Sequence, residues 1–351
     1  LYPLLFYPIH MERIWGGNKL KVNFARELGD KPIGESWELA CHKNGNSIIS
    51  NGYFKGKSLG DLISDYGQEI LGSAIYNDRY NKFPLLVKLI DARDWLSVQV
   101  HPNDNYACEF ENGELGKTEA WYIIDAIEDA RIVYGLKEGI SKKDFRACVD
   151  KNRIGDCLKE LKVKAGDVVY IPAGMVHALG EGILVYEIQQ SSDTTYRIYD
   201  WDRVDRHGHK RDLHVEKAMD VISFNSKYQD KIRGLRVKED GGDRIVYIAN
   251  RYFAVERLIT SGSMSLALDG KRFQILTCID GSGDLVYEKG SIRLNKGSSC
   301  LVPASLSEPS LKGNLSVIRS YVPDREKNLI KPLLLKGYLE SDLEQIAALF
   351  D

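Results

Sequence analysis

The sequence predicts a mainly β protein made of two related β-units, and three observations carry that reading. Most of the chain consists of short β-branched or aromatic runs closed by Gly, Pro, Asn or Asp, among them "DVVYIPAG", "GILVYEIQQ", "FAVERLI", "QILTCIDG" and "SCLVPAS". Many short strands spaced in this way suggest a sandwich or barrel. Helical periodicity is confined to stretches at about 58–71, 142–161 and 340–350. The third observation is internal similarity. "KAGDVVYIPAGMVHAL" (Lys164 to Leu179) aligns without gaps on "NKGSSCLVPASLSEPS" (Asn295 to Ser310), setting Gly166 on Gly297, Pro172 on Pro303 and His177 on Glu308. "EAWYIIDA" (Glu119 to Ala126) lies likewise over "QILTCIDG" (Gln274 to Gly281). The two alignments differ in offset by about the length of the 142–161 helix, which therefore reads as an insertion in the first copy.

The elements follow in order. The opening "LYPLLFYPIH" is apolar, but it lacks a basic flank, is broken by Pro3 and Pro8, and is too short to span a bilayer; it reads as a packed N-terminal segment. "SLGDLISDYGQEIL" gives the first helix. In "LSVQVHPND" (Leu96 to Asp104) strand alternation sends Ser97, Gln99 and His101 to one face and Val98 and Val100 to the other. Taken alone, this is a half-exposed strand with its polar side out. "KKDFRACVDKNRIGDCLKEL" gives the inserted helix at 142–161. In "DVVYIPAGMVHAL" a strand, a Pro172-Ala173-Gly174 turn and a returning strand carry His177 onto the inner face. "GILVYEIQQ" places Ile183, Val185, Glu187 and Gln189 on one face. "RHGHKRDLH", with His207, His209 and His214 among alternating cations and aspartates, reads as a solvated connection rather than a second metal site. The domain boundary falls at about 220, with residues 1–220 forming the first unit and 221–351 a degenerate second unit with a helical tail.

At 351 residues the chain exceeds what one hydrophobic core usually serves. With 48 Lys+Arg against 50 Asp+Glu, it lacks the basic field that a nucleic-acid or membrane partner requires. Six cysteines without a C-x-x-C pair suggest neither a disulfide framework nor a thiolate zinc site, and point to reduced thiols in the cytoplasm. No phosphate-binding or dinucleotide fingerprint is present, so no nucleotide cofactor is expected.

The pattern G-D-x-x-x-I-P-x-G-x-x-H, at Gly166, Asp167, Ile171, Pro172, Gly174 and His177, resembles the second motif of the cupin family. The chain as a whole resembles the type I mannose-6-phosphate isomerases in their short bacterial form. The resemblance rests on "RIWGG", "GESWELA", "SVQVHPND", "GKTEAWY", "AGDVVYIPAGMVHALG" and "QQSSDTTYRIYDWDR". It implies two cupin-type (jelly-roll) units with a helical insertion and short terminal helices. It also implies one Zn²⁺ per chain, held by Gln99, His101, Glu119 and His177. An N/O ligand set of this kind suits a zinc that keeps an open position. In the pocket, the resemblance implies catalytic roles for Lys117, Glu187 and Arg197, and substrate-binding roles for Ser97 and Trp15. Cations beside the metal suit a phosphorylated sugar, which needs charge-assisted donors.

One departure stands out: Gly116-Lys117-Thr118-Glu119 occupies the place of His-Lys-Pro-Glu in longer relatives, which leaves the base open between Glu187 and Lys117. The implied reaction interconverts mannose 6-phosphate and fructose 6-phosphate through a cis-enediol. The alternative is a non-catalytic sugar-binding or regulatory metal cupin.

Overall fold

Strand pairing decides how the chain is divided. The N-terminal strand Leu4–Tyr7 pairs with Ser299–Val302, Leu4 lying opposite Leu301, so the first residues belong with the last third of the sequence. The computed structural model describes residues 1–76, 83–205, 207–225 and 229–351. These form two compact units. A central unit comprises His10–Ser36 and Lys88–Lys231; a terminal unit comprises Leu1–Ile9, Trp37–Val87 and Ile232–Asp351. The central unit ends at Lys231, and the residues before 88 are shared between the two units.

The structure is mainly β, in antiparallel sheets with a few short helices. The central unit contains a five-stranded sheet in the order Leu158–Lys162, Arg131–Leu136, His177–Ala178, Val98–Val100, Tyr196–Tyr199. Facing it are the strands Val168–Ile171, Glu119–Ala126 and Ile183–Gln190 of a six-stranded sheet. Ile132 and Tyr134 of the first sheet share one apolar core with Trp121, Ile171 and Val185 of the second. The outer side of the five-stranded sheet is covered by the helices Lys142–Asp150 and Val215–Val221, whose Phe145, Ala218 and Met219 pack on Val98, Val100 and Val133. This corrects the half-exposed reading of "LSVQVHPND". Its valines are buried under helices, and its polar face points into the unit, where Ser97 is 3% and His101 1% exposed.

The helix expected at 58–71 is observed at Leu59–Leu71, with Ser58 Oγ accepting from the Asp61 amide at 3.1 Å. The helix expected over 142–161 ends at Asp150. Asn152 adopts a left-handed φ of 53°, a short 3₁₀ turn follows at Ile154–Asp156, and Leu158–Lys162 is a strand. Leu158 lies opposite Leu136 and Leu161 opposite Ile132, so pairing with the neighbouring strand wins over the amphipathic period. The tail is helical only at Glu340–Leu343. Beyond it, the Ala347 amide donates to the Tyr247 carbonyl and the Ala347 carbonyl accepts from Ala249, a parallel bridge that a helix could not make. Helical turns at Glu326–Ile330 and Lys331–Leu335 were not read from the sequence.

The terminal unit is built on a nine-stranded sheet in which Ser310–Tyr321 lies between Ala254–Ser265 and Gln274–Tyr287. The internal repeat appears here as matching register. Glu119 faces Ile171 and Trp121 faces Val169 in the central unit; Gln274 faces Val302 and Leu276 faces Cys300 in the terminal unit. These are the positions that the sequence alignment equates.

Candidate metal centre and active site

Three strands converge on one buried point. Gln99 sits directly opposite His177 on one neighbouring strand and opposite Arg197 on the other. Two residues on, His101 follows the end of the strand, and its carbonyl accepts from the Gly174 amide at 2.9 Å. That contact joins the loop after Val100 to the Pro172-Ala173-Gly174 turn. Gly174 has φ 87°, and a Cβ there would come within 2.5 Å of Ser223 Oγ, so the turn needs glycine. Glu119 opens its own strand. His101, Glu119 and His177 thereby present ligand atoms within 4.8 Å of one another, all buried.

The two imidazoles are held in a defined tautomer. His101 Nδ1 donates to the Thr194 carbonyl and His177 Nδ1 to the Met175 carbonyl, each at 2.9 Å. A carbonyl can only accept, so the proton is on Nδ1 and a neutral ring offers its Nε2 lone pair inward. His177 Nε2 faces Glu119 Oε1 at 3.2 Å, and His101 Nε2 faces Glu119 Oε2 at 3.5 Å. Glu119 Oε1 accepts no hydrogen bond. Lone pairs set against a carboxylate in this way repel each other unless a cation lies among them. The donor set therefore fits a divalent metal: two imidazoles and a carboxylate, all oriented and buried. Gln99 adds an amide, 3.2 Å from His177 Nε2, with Ser97 Oγ at 3.4 Å from its Oε1. Turning that amide over would present its oxygen instead.

Lys117 supplies one positive charge to the cluster. Its ammonium lies 2.9 Å from His101 Nε2 and is ion-paired to Glu119. Burial alone would raise the Glu119 carboxyl; Lys117, then His101 and His177, overcome it and hold the group well below the usual range. Burial, and next Lys117, push His101 well below its ordinary value, which keeps the ring neutral. Gly116 stands where the resemblance puts a histidine in longer relatives. A Cβ there would meet the Asn103 carbonyl carbon and the Asp104 nitrogen at 2.5 Å, so no side chain fits.

Beyond the cluster, Glu187 is 3% exposed, accepts from Trp121 Nε1 at 2.8 Å and is ion-paired with Lys88 at 3.2 Å. Trp121 in turn sets its ring edge-on to His177, centroids 5.6 Å apart. Lys88 and Trp121 were not singled out in the sequence. The available signal was a lone lysine in "LLVKLIDA", a strand buried at every position. Burial would lower Lys88, but Glu187, Glu35 and Glu119 together raise it. Arg197 is half-buried; its Nη1 donates to the Asp212 carbonyl at 2.9 Å, and its Nε is buried without a partner. The structure places Trp15, at 3% exposure, in the apolar core with Trp121 and Ile171 rather than on an open wall. His207 and His209 are exposed, His209 lying 3.7 Å from Asp205; Arg206 lies outside the described residues.

Fold and site together define a two-unit cupin with a buried His–Glu–His metal cluster. Residues 5–123 match the family described as phosphomannose isomerase type I, catalytic domain, and residues 243–322 match the mannose-6-phosphate isomerase cupin domain. The chain is 40% identical over 321 residues to the mannose-6-phosphate isomerase ManA of Bacillus subtilis, covering 91% of this chain and 99% of that protein. It is 38% identical to the mannose-6-phosphate isomerase of Streptococcus mutans, covering 91% and 98%. The crystal structure of the Bacillus subtilis mannose 6-phosphate isomerase superposes with a TM-score of 0.85 at 37% identity, covering 91% and 99%. The chain belongs to the mannose-6-phosphate isomerase family.

Proposed function

We propose that this protein is a zinc-dependent aldose–ketose isomerase that interconverts mannose 6-phosphate and fructose 6-phosphate through a cis-enediol. The observation that carries the reading is the His101–Glu119–His177 cluster, whose acceptor atoms face one another in a buried site. Gln99, His101, Glu119 and His177 would hold the metal. Bound there, it would act as a Lewis acid toward the sugar's carbonyl and hydroxyl oxygens.

The residues do the rest. Lys117, ion-paired with Glu119 and 2.9 Å from His101 Nε2, shares these two acceptors with a bound metal, and with the metal in place its ammonium would be available to the substrate. Glu187, ion-paired with Lys88 at 3.2 Å, and Lys117 are the groups able to move a proton between C2 and C1. Arg197, with an uncommitted Nε, binds phosphate or the enediolate oxygen. Ser97 offers a hydroxyl to the sugar. Trp15 acts from behind, packing in the same core as Trp121, which fixes Glu187. Six unpaired cysteines, three of them buried, fit a reducing compartment, and we place the protein in the cytoplasm. No helix among the described residues is long and apolar enough to cross a membrane.

The test is metal analysis of the purified protein together with a coupled assay for fructose 6-phosphate, before and after chelation and zinc repletion. Metal-dependent turnover is expected. Full activity after metal removal would overturn the metal assignment. A fully loaded protein that turns nothing over would favour the non-catalytic alternative.

A further inference from the structure

We infer that the terminal unit carries a second small-molecule site, a pocket for an anionic, hydroxyl-bearing ligand of the sugar-phosphate class. The site stands where the internal repeat puts the counterpart of the metal centre. Its cavity is about 380 Å³ and is lined by Gln274, the residue equivalent to Glu119. That volume lies within the roughly 300–1,000 Å³ usual for small-molecule sites. Metal ligands are absent from the equivalent positions: Gln274 is a neutral amide, and Glu308, the counterpart of His177, is exposed.

Cations stand in their place. Arg244, Gln274 and Arg319 rise from the strands of the sheet, and Lys327 comes from the helical turn at Glu326–Ile330. Fully buried Glu256 accepts from Arg319 Nε at 2.8 Å and from the Tyr321 hydroxyl at 2.9 Å, and Arg244 lies 3.5 Å from it. Glu256 is thus the carboxylate of Arg319 and is shared more distantly with Arg244. Glu239 offsets Arg244 and Lys336, while Asp269 and Asp324 offset Arg272 and Lys327. One positive charge remains in surplus.

The unsatisfied atoms show what would complete the pocket. Arg244 Nε, Arg272 Nε and Gln274 Oε1 are buried without a hydrogen-bond partner. Arg244 Nε is 2.9 Å from Glu239 Oε1, but its N–H is not directed at that oxygen. Gln274 spends its NH₂ on the Ala267 carbonyl at 2.8 Å, which leaves its oxygen open. The guanidiniums call for an acceptor with negative charge, and phosphate oxygens match their fork. The amide oxygen calls for a donor, which a sugar hydroxyl provides. Leu258, Met264 and Pro332 offer apolar wall for the carbon skeleton.

The test is calorimetric titration of the full-length protein with sorbitol 6-phosphate, which has no carbonyl and cannot be isomerised. Arg272→Gln should weaken one class of binding at least tenfold. Lys327→Glu reverses charge at a side chain that is 72% exposed, so it reads the pocket without burdening the fold, and it should act in the same direction. Inorganic phosphate should bind this site more weakly than sorbitol 6-phosphate, and sorbitol should not bind it measurably. Phosphate binding as tightly as the full ligand would overturn the polyol half of the inference. Isotherms of both variants that superimpose on the parent's would overturn the site itself. Because the readout is binding, failure of the isomerase reading would leave this result standing.

Discussion

At the scale of single residues, a carboxylate oxygen facing an imidazole lone pair at 3.2 Å makes a definite demand. His101→Ala or His177→Ala should therefore remove most of the bound metal and nearly all activity while the fold persists, as metal analysis and circular dichroism would show. Normal metal content with full turnover in either variant would refute the centre. Lys117→Ala and Arg197→Ala should keep their metal but lose at least about a hundredfold in kcat/KM, roughly 3 kcal/mol, the scale of a lost charge-assisted contact. If Lys117 moves the proton, its loss falls on kcat; a phosphate clamp shows in KM. Gly116→Ala should destabilise by about 1–3 kcal/mol in urea titration, because its methyl group would press on the Asn103–Asp104 peptide. The i, i+2 spacing of Gln99 and His101 and the motif around His177 made the cluster legible in the sequence. Lys88 and Trp121 were not legible, because their strands read as plain core and the polar bonds they make cross between strands.

At the scale of elements, the lesson lies between Lys142 and Lys162. The start of the helix was readable because Ser141 and Asp144 form a capping box. Its end was not, since the leucines at 158 and 161 fit a helical period as well as a strand, and only the edge offered by Arg131–Leu136 decides between them. Asn152 gives a discriminating experiment. At φ 53°, Asn152→Ala should destabilise the protein by about 1 kcal/mol, whereas in a continuous helix the same change would stabilise it. A raised urea midpoint in that variant would restore the longer helix. The tail repeats the point: its period reads as a helix at 340–350, but the partners of Ala347 lie about a hundred residues earlier in the chain.

At the scale of the whole molecule, two cupin-type units were legible because register survives where ligands do not. The same β-ladder recurs around Glu119 and around Gln274. Buried charge sets the acid limit of the terminal unit. Burial would raise the Glu256 carboxyl, but Arg319 and Arg244 hold it below its ordinary value near 4.5. A depressed carboxylate contributes stability that is fully present above its unfolded pKa and is lost as pH falls through the folded one. Urea stability should therefore drop below about pH 4.5. Glu256→Gln, which takes the carboxylate from buried Arg319, should be less stable by about 3–5 kcal/mol at pH 6, with the gap narrowing toward pH 3. An unchanged gap across that range would remove Glu256 from the account.

The interleaving of the two units has a consequence for how the protein is made. On the ribosome, every residue of the central unit has emerged once Lys231 is clear, so that half can fold while synthesis continues. Leu4–Tyr7 can pair early with Ile48–Ile49, but its other edge must wait for Ser299–Val302. The nascent chain thus carries one open edge of an apolar strand until Ser299–Val302 is made. Expression cut at a boundary near 220 would leave that edge open permanently and should yield aggregates.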